Sequence, residues 1–148
     1  MLDQASVQQV KEGVFPRDVS HIVITMRFYP RFLKKQLRDE FICDLAPVKE
    51  LLHDFNSAQK RLGDHNSAFK EIDYENRFQL SESGYAHLKR LSNLSIRKNV
   101  YLTCLCRAGE KCHREMLLLI SKELFGAKIG AIFHSYPDIV RRMDEFRR

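Results

Sequence analysis

The sequence predicts an α/β fold: a single compact domain with a small, mostly parallel sheet and helices packed around it. Three observations carry that prediction. "HIVIT", His21–Thr25, and "NVYLTCLC", Asn99–Cys106, are short β-branched runs with the character of buried strands. The residues between them carry helical apolar spacing, and 148 residues at 44% hydrophobic suffice for one packed core but hardly for two. We therefore expect one domain over residues 1–148, with its core at about 20–126, an N-terminal arm at 1–16 and a closing helix at 136–147.

Taken in order, the first dozen residues are polar apart from Val7 and Val10 and are closed by Gly13 and Pro16, which reads as a short helix or loose arm. The first strand, His21–Thr25, is halted by turn chemistry around Pro30. From Leu33, apolar Leu37, Phe41 and Leu45 recur every four residues, the stripe of a helix that runs to "LAP". Pro47 suits the first position of the next helix, where Val48, Leu51, Leu52 and Phe55 share a face before Gly63 stops it. Asp64 or Asn66 can cap a helix bearing Phe69 and Ile72, and Ser81 one bearing Tyr85, Leu88 and Leu91.

After the strand Asn99–Cys106 come the turn "RAGEK", Arg107–Lys111, and a helix from about Cys112 to Leu124, ended by Gly126. "KIGAIF", Lys128–Phe133, suggests a third strand. Pro137 and Asp138 open a final helix with Ile139, Val140, Met143 and Phe146 on one side. In a parallel sheet ligands gather beyond the carboxyl ends of the strands, so "RFYPR" and "CRAGEKCHR" should share that edge.

Composition bounds the function. The longest uninterrupted apolar run, Met116–Ile120, falls far short of the roughly 20 residues of a membrane span, and the start lacks a basic-then-apolar leader. A soluble, unexported protein without a membrane partner is expected. Four cysteines, three of them between Cys104 and Cys112, do not resemble a secreted disulfide framework, which suggests free thiols in the cytoplasm. A net charge of +6 favours anionic partners, and Arg27–Arg38 concentrates five cations without an acid.

Four readings compete for the cysteine-rich stretch. As an anion site, free N–H groups of Gly109–His113, with Arg107, Lys111 and Arg114, would hold a phosphate, and Arg27 and Arg31 would complete the clamp. As a thiol centre, Cys112 at a helix start among cations, or Cys106 just before the loop, would be the nucleophile, Cys112 gaining thiolate character there, with His113 as a proton carrier. As a metal site, Cys104, Cys106, Cys112 and His113 match zinc or iron–sulfur ligands in type. The spacing is unfavourable, because Cys112 and His113 leave a helix about 100° apart. No cofactor is therefore favoured. The fourth reading is structural: buried cysteine is common, His113 can simply hold a carbonyl, and Cys43 between Ile42 and Asp44 fills a helix contact.

Elsewhere, Phe28, Tyr29 and Phe32 interleave with Arg27, Arg31 and Lys34 in a manner compatible with nucleic-acid binding, although no recognition-helix or RNP signature accompanies them. The leading expectation is an anionic small-molecule ligand, phosphate-bearing and possible in nucleotide form, bound by Arg27, Arg31, Arg107, Gly109, Lys111 and Arg114, with Cys112 and His113 as the reactive pair. A nucleic-acid module or a Cys/His metal domain is the alternative.

"TMRFYPRFLKKQLRDEFICDLAP" resembles the opening of the YeaO-like group within domain-of-unknown-function family 488, in which an Arg-x-x-Pro-Arg segment follows the first strand. "FKEIDYENRF" resembles that group's mid-chain aromatic pattern, and Cys112-His113-Arg114 is similar to the Cys-His-Arg motif of other branches. The resemblance implies an α/β fold with Arg27, Pro30, Arg31, Cys112, His113 and Arg114 at motif positions, and an intracellular setting. It brings no reaction, substrate or cofactor with it. The YeaO-like pattern lacks the cysteines of "CLCRAGEKCHR", so any role of Cys104 and Cys106 would be particular to this branch.

Overall fold

The computed structural model describes residues 1–107 and 109–147. Four strands, β1 (Leu2–Ser6), β2 (Ser20–Ile24), β3 (Glu40–Phe41) and β4 (Asn99–Cys104), form one wholly parallel sheet in the order β1-β4-β2-β3. β4 lies inside, with Leu2 opposite Val100 and Ser6 opposite Cys104 on one side, and Ser20 opposite Asn99 and Ile24 opposite Thr103 on the other. All three longer strands thus end at one level. The peptide N–H of Thr25 extends the β2 ladder by donating to the Thr103 carbonyl at 2.9 Å.

Alternation of side chains gives the sheet two apolar faces. Ala5, Ile22 and Ile24 meet Val7 and Val10 of the short helix α1 (Val7–Lys11) and Leu33 on one side. Leu2, Val23, Val100 and Leu102 meet the remaining helices on the other. These are α2 (Lys49–Leu62), α3 (His65–Glu71), α4 (Tyr74–Arg77), α5 (Glu82–Leu94), α6 (His113–Phe125) and α7 (Pro137–Arg147).

Several expected punctuation signals act as written. Gly63 and Gly126 end α2 and α6 in the left-handed conformation that favours glycine, while Asp64 and Ser81 cap α3 and α5. α6 is buried nearly all round, from His113 to Leu118 and again at Ile120 and Ser121. Burial of a leucine such as Leu117 or Leu118 contributes about 1.5–3 kcal/mol, which fixes the start of this helix firmly beside the end of β4. Among the described residues, no helix is long and apolar enough to cross a membrane.

Four expectations require correction. The N-terminal arm contains strand β1, so the core begins at Leu2 rather than near residue 20. Leu2 and Ala5 supply too little apolar signal alone, and pairing with β4 decides the outcome. The Leu33–Leu45 stripe is not a helix but two 3₁₀ turns, Lys35–Leu37 and Cys43–Leu45, around edge strand β3. There the Asp39 and Ile42 N–H groups bind the Ile22 and Ile24 carbonyls, so sheet bonds override the four-residue period. Cys43 accordingly lies half-buried in a turn. Lys128–Phe133 forms only a single bridge, Ile129 to Leu2, and Val140 and Phe146 remain partly exposed on α7.

Candidate functional site

The carboxyl ends of β1, β2 and β4 lead into α1, the Thr25–Leu33 loop and the Leu105–Cys112 loop. Cys104 is the last residue of β4, and Cys112 is the N-cap of α6. The fold therefore brings their sulfurs to 3.2 Å, and Cys106 joins them so that all three sulfurs lie within 4.8 Å of one another. The Cys106 peptide N–H donates to the Cys104 sulfur at 3.3 Å.

His113 is buried, with Nε2 2.7 Å from the Thr25 carbonyl oxygen. A carbonyl only accepts, so Nε2 carries a hydrogen, and Nδ1 faces the Cys112 sulfur at 3.6 Å. His113 thus does hold a carbonyl, and in doing so it is oriented toward a thiol. Arg114, only 3% exposed, donates from its guanidinium to the Ala5 carbonyl and tethers β1 to the site. Burial opposes its charge, but the neighbouring cysteines, Cys112 first, hold its pKa above the ordinary arginine value.

The three thiols share charge unequally. Burial works against ionisation of Cys112, yet donation from Cys104 and Cys106 and the adjacent His113 hold it well below the ordinary thiol value. Cys106 contact works downward on Cys104, but Cys112 and burial push Cys104 up. Contact with Cys104 and Cys112, followed by burial, raises Cys106.

The sequence-based anion clamp is divided between two clefts. One, of about 550 Å³, is lined by Arg27, Arg31, His65, Cys104, Cys106, Glu110 and His113 together with Phe28, Phe55 and Tyr74. The other, of about 830 Å³, is lined by Arg107, Gly109 and Arg114, but also by Asp3, Glu110 and Glu115. The larger cleft carries more acids than arginines, whereas the smaller has Glu110 alone against Arg27 and Arg31. Lys111 enters neither lining and instead lies over the Phe69 ring, 5.9 Å from its centroid. Cys112 lies behind Cys104 and Cys106 and lines neither cleft.

The turn between Cys106 and Cys112 also differs from the open cradle that its composition suggests. Ala108, within the expected "RAGEK" turn, lies outside the described residues. Gly109 has φ 87°, a left-handed conformation that suits glycine. Its neighbours' N–H groups are engaged: Glu110 donates to the Arg107 carbonyl, Lys111 to Asn66 Oδ1, and Cys112 to the Tyr136 hydroxyl. The Arg107 N–H donates to Glu110 Oε1 at 2.7 Å. Internal acceptors have thus taken the Glu110, Lys111 and Cys112 N–H groups of the expected cradle.

Sequence reasoning missed the supporting residues. His65 donates from Nε2 to the Lys111 carbonyl at 2.6 Å and faces Glu110 with Nδ1 at 3.3 Å. Tyr136 accepts from the Cys112 N–H and donates to Glu115 Oε1 at 2.7 Å, while Glu115 Oε2 accepts from Gln4 and from the Phe133 N–H. Burial and this donation to Glu115 raise the Tyr136 pKa, keeping it a neutral donor. Glu115 directly follows the Cys-His-Arg run, and its acidic charge within an apolar stretch was the available signal; His65 and Tyr136 gave none.

The family model described as the active DUF488-N3 subclade, DUF488-N3a, matches residues 6–123, a span that includes β2, β4, the cysteine loop and most of α6. The chain belongs to this DUF488 family. The match agrees with the resemblance read from the Arg-x-x-Pro-Arg and Cys-His-Arg segments, both of which lie within it. No curated protein and no solved structure matches the chain.

Proposed function

We propose that this DUF488 protein binds a phosphate-bearing or otherwise anionic small ligand in the cleft between the Thr25–Leu33 loop and the thiol cluster. One observation carries the reading: Arg27 and Arg31 line the same cavity as Cys104, Cys106 and His113, with Glu110 as the sole acid of that lining. Its volume of about 550 Å³ falls in the usual range of about 300–1,000 Å³ for small-molecule sites and accommodates a nucleotide. Arg27 Nε already donates to the Pro47 carbonyl at 3.1 Å, which orients its terminal nitrogens for the ligand. His113, which lines the cleft and is oriented by the Thr25 carbonyl, is the group through which acid/base chemistry on that ligand would run, while Cys112 does not line the cleft and would act only through His113.

Pyrophosphate titration tests this reading directly. The wild-type chain should bind it, with affinity falling about 10- to 100-fold for each of Arg27→Gln and Arg31→Gln, the scale of one charged hydrogen bond. Arg107→Gln, in the other cleft, should leave binding unchanged. Equal affinity in the Arg27 and Arg31 variants would defeat the proposal.

A nucleic-acid reading retains one specific support: Phe28 and Phe32 are 60% and 50% exposed beside these arginines, available for base stacking. It requires affinity for single strands to fall by about a thousandfold or more between 50 and 200 mM salt for a six-phosphate contact. Pyrophosphate binding without such strand binding separates the two readings.

A further inference from the structure

Beyond the anion reading, and independent of its arginines, we propose that Cys104, Cys106 and Cys112 form a three-thiolate site for one zinc-class divalent cation, with its remaining coordination position open to the Arg27–Arg31 cleft. The sulfurs of these residues already lie within 4.8 Å of one another, the closest pair at 3.2 Å. Sulfurs on tetrahedral zinc, each about 2.3 Å from the metal, sit about 3.8 Å apart, so seating the ion takes adjustments of up to about an ångström. Thiolate donors select zinc or similarly soft ions over magnesium or calcium.

Two ligand positions are fixed by the framework. Cys104 is held in the β4 ladder opposite Ser6, and the Cys112 N–H is held by the buried Tyr136 hydroxyl. Three thiolates and a dication leave one negative charge, and the buried Arg114 guanidinium beside Cys112 can balance it. Among the described residues Arg114 Nε has no hydrogen-bond partner and no carboxylate forms an ion pair with Arg114. The Cys106 N–H on the Cys104 sulfur also favours negative sulfur.

This ligand set is narrower than the four residues suggested by sequence. His113 Nδ1 approaches Cys112 but does not converge with all three sulfurs, while its Nε2–H is committed to Thr25. His113 therefore positions Cys112 from outside the set. Cys104 and Cys106 line the cleft, so three protein ligands leave a face toward solvent, the arrangement by which zinc sites hold a water or an oxyanion. A second grouping, His65, Cys106 and Glu110, shares only Cys106 with the trio, and in it His65 Nδ1 already faces Glu110 at 3.3 Å. When metal occupies the thiol trio, Cys112 is a ligand rather than a nucleophile.

The test is cobalt titration of the full, reduced, chelator-treated chain in phosphate-free buffer, read by sulfur-to-cobalt charge-transfer absorption and reversed by zinc. Saturation at one equivalent is expected, weakened in each of Cys104→Ser, Cys106→Ser and Cys112→Ser by more than the roughly 10–100-fold that loss of an outer-shell partner costs. Cys43→Ser should bind as wild type. No stoichiometric band, or an undiminished one in Cys106→Ser, overturns the site. If the serine variants fail to fold by circular dichroism, zinc-dependent protection of wild-type Cys106 from iodoacetamide decides, and equal labelling with and without zinc overturns it. The Arg27→Gln/Arg31→Gln double variant should keep the cobalt band, which separates failure of this site from failure of the anion cleft.

Discussion

Tyr136 shows how single residues hold the site. Its hydroxyl accepts the Cys112 N–H and donates to Glu115, all in buried surroundings. Tyr136→Phe removes both bonds and leaves two buried polar groups without this partner, so a loss of about 1–3 kcal/mol is expected in urea denaturation. Unchanged stability would mean that the network does not anchor α6. None of this was legible at position 136, because an isolated tyrosine before Pro137 carries no sign of a partner 24 residues away. Cys104, Cys106, Cys112, His113 and Arg114 were legible as candidates because residue type restricts chemistry. Their proposed division into ligands, positioning groups and cleft walls depends on direction, which a one-dimensional pattern does not contain.

At the level of elements, local signals succeeded where they act within a few residues. Asp64, Ser81, Gly63 and Gly126 punctuate helices as their chemistry requires. They failed where distant pairing wins, at β1 and at the Leu33–Leu45 stripe. The edge strand β3 is secured by Glu40, which accepts from Arg90 of α5 and lies 2.6 Å from His21 Nε2. Burial tends to raise the Glu40 pKa, but the Arg90 and His21 contacts outweigh it and leave the value lowered. Stability from this group is therefore complete above the unfolded value of about 4.5 and is lost as pH falls through the lower folded value. The stability gap between wild type and Glu40→Gln should close on acidification through that window, measured by urea unfolding; a gap constant with pH would contradict the assignment.

α5 offers a packing test at the same scale. A Cβ built on Gly84 would lie 2.9 Å from the Asp44 carbonyl oxygen and 3.2 Å from Leu80, so this helix turn approaches the Cys43–Leu45 turn too closely for a methyl group. Despite alanine's higher helix propensity, Gly84→Ala is expected to destabilise by about 1–3 kcal/mol through overpacking. A rise in melting temperature would show that the two elements separate at little cost.

For the whole molecule, alternation of strands and helices and a shared carboxyl edge were readable from periodicity and topology rules, whereas the expected single core is two, one on each face of the sheet. The partition of that edge into two clefts was not, because it depends on how the Leu105–Cys112 loop is held by His65, Asn66, Glu110 and Tyr136. That partition places Arg27 and Arg31 over the thiols and leaves Arg107 and Arg114 among acids. The most direct measurement is therefore an amide NMR titration of the ¹⁵N-labelled protein with pyrophosphate. The account predicts shifts concentrated in Met26–Phe32 and at Leu105, Cys106, Glu110 and His113. Shifts confined to Gln4–Gln9 and Gly109, with Met26–Phe32 unchanged, would assign the anion to the other cleft and contradict it.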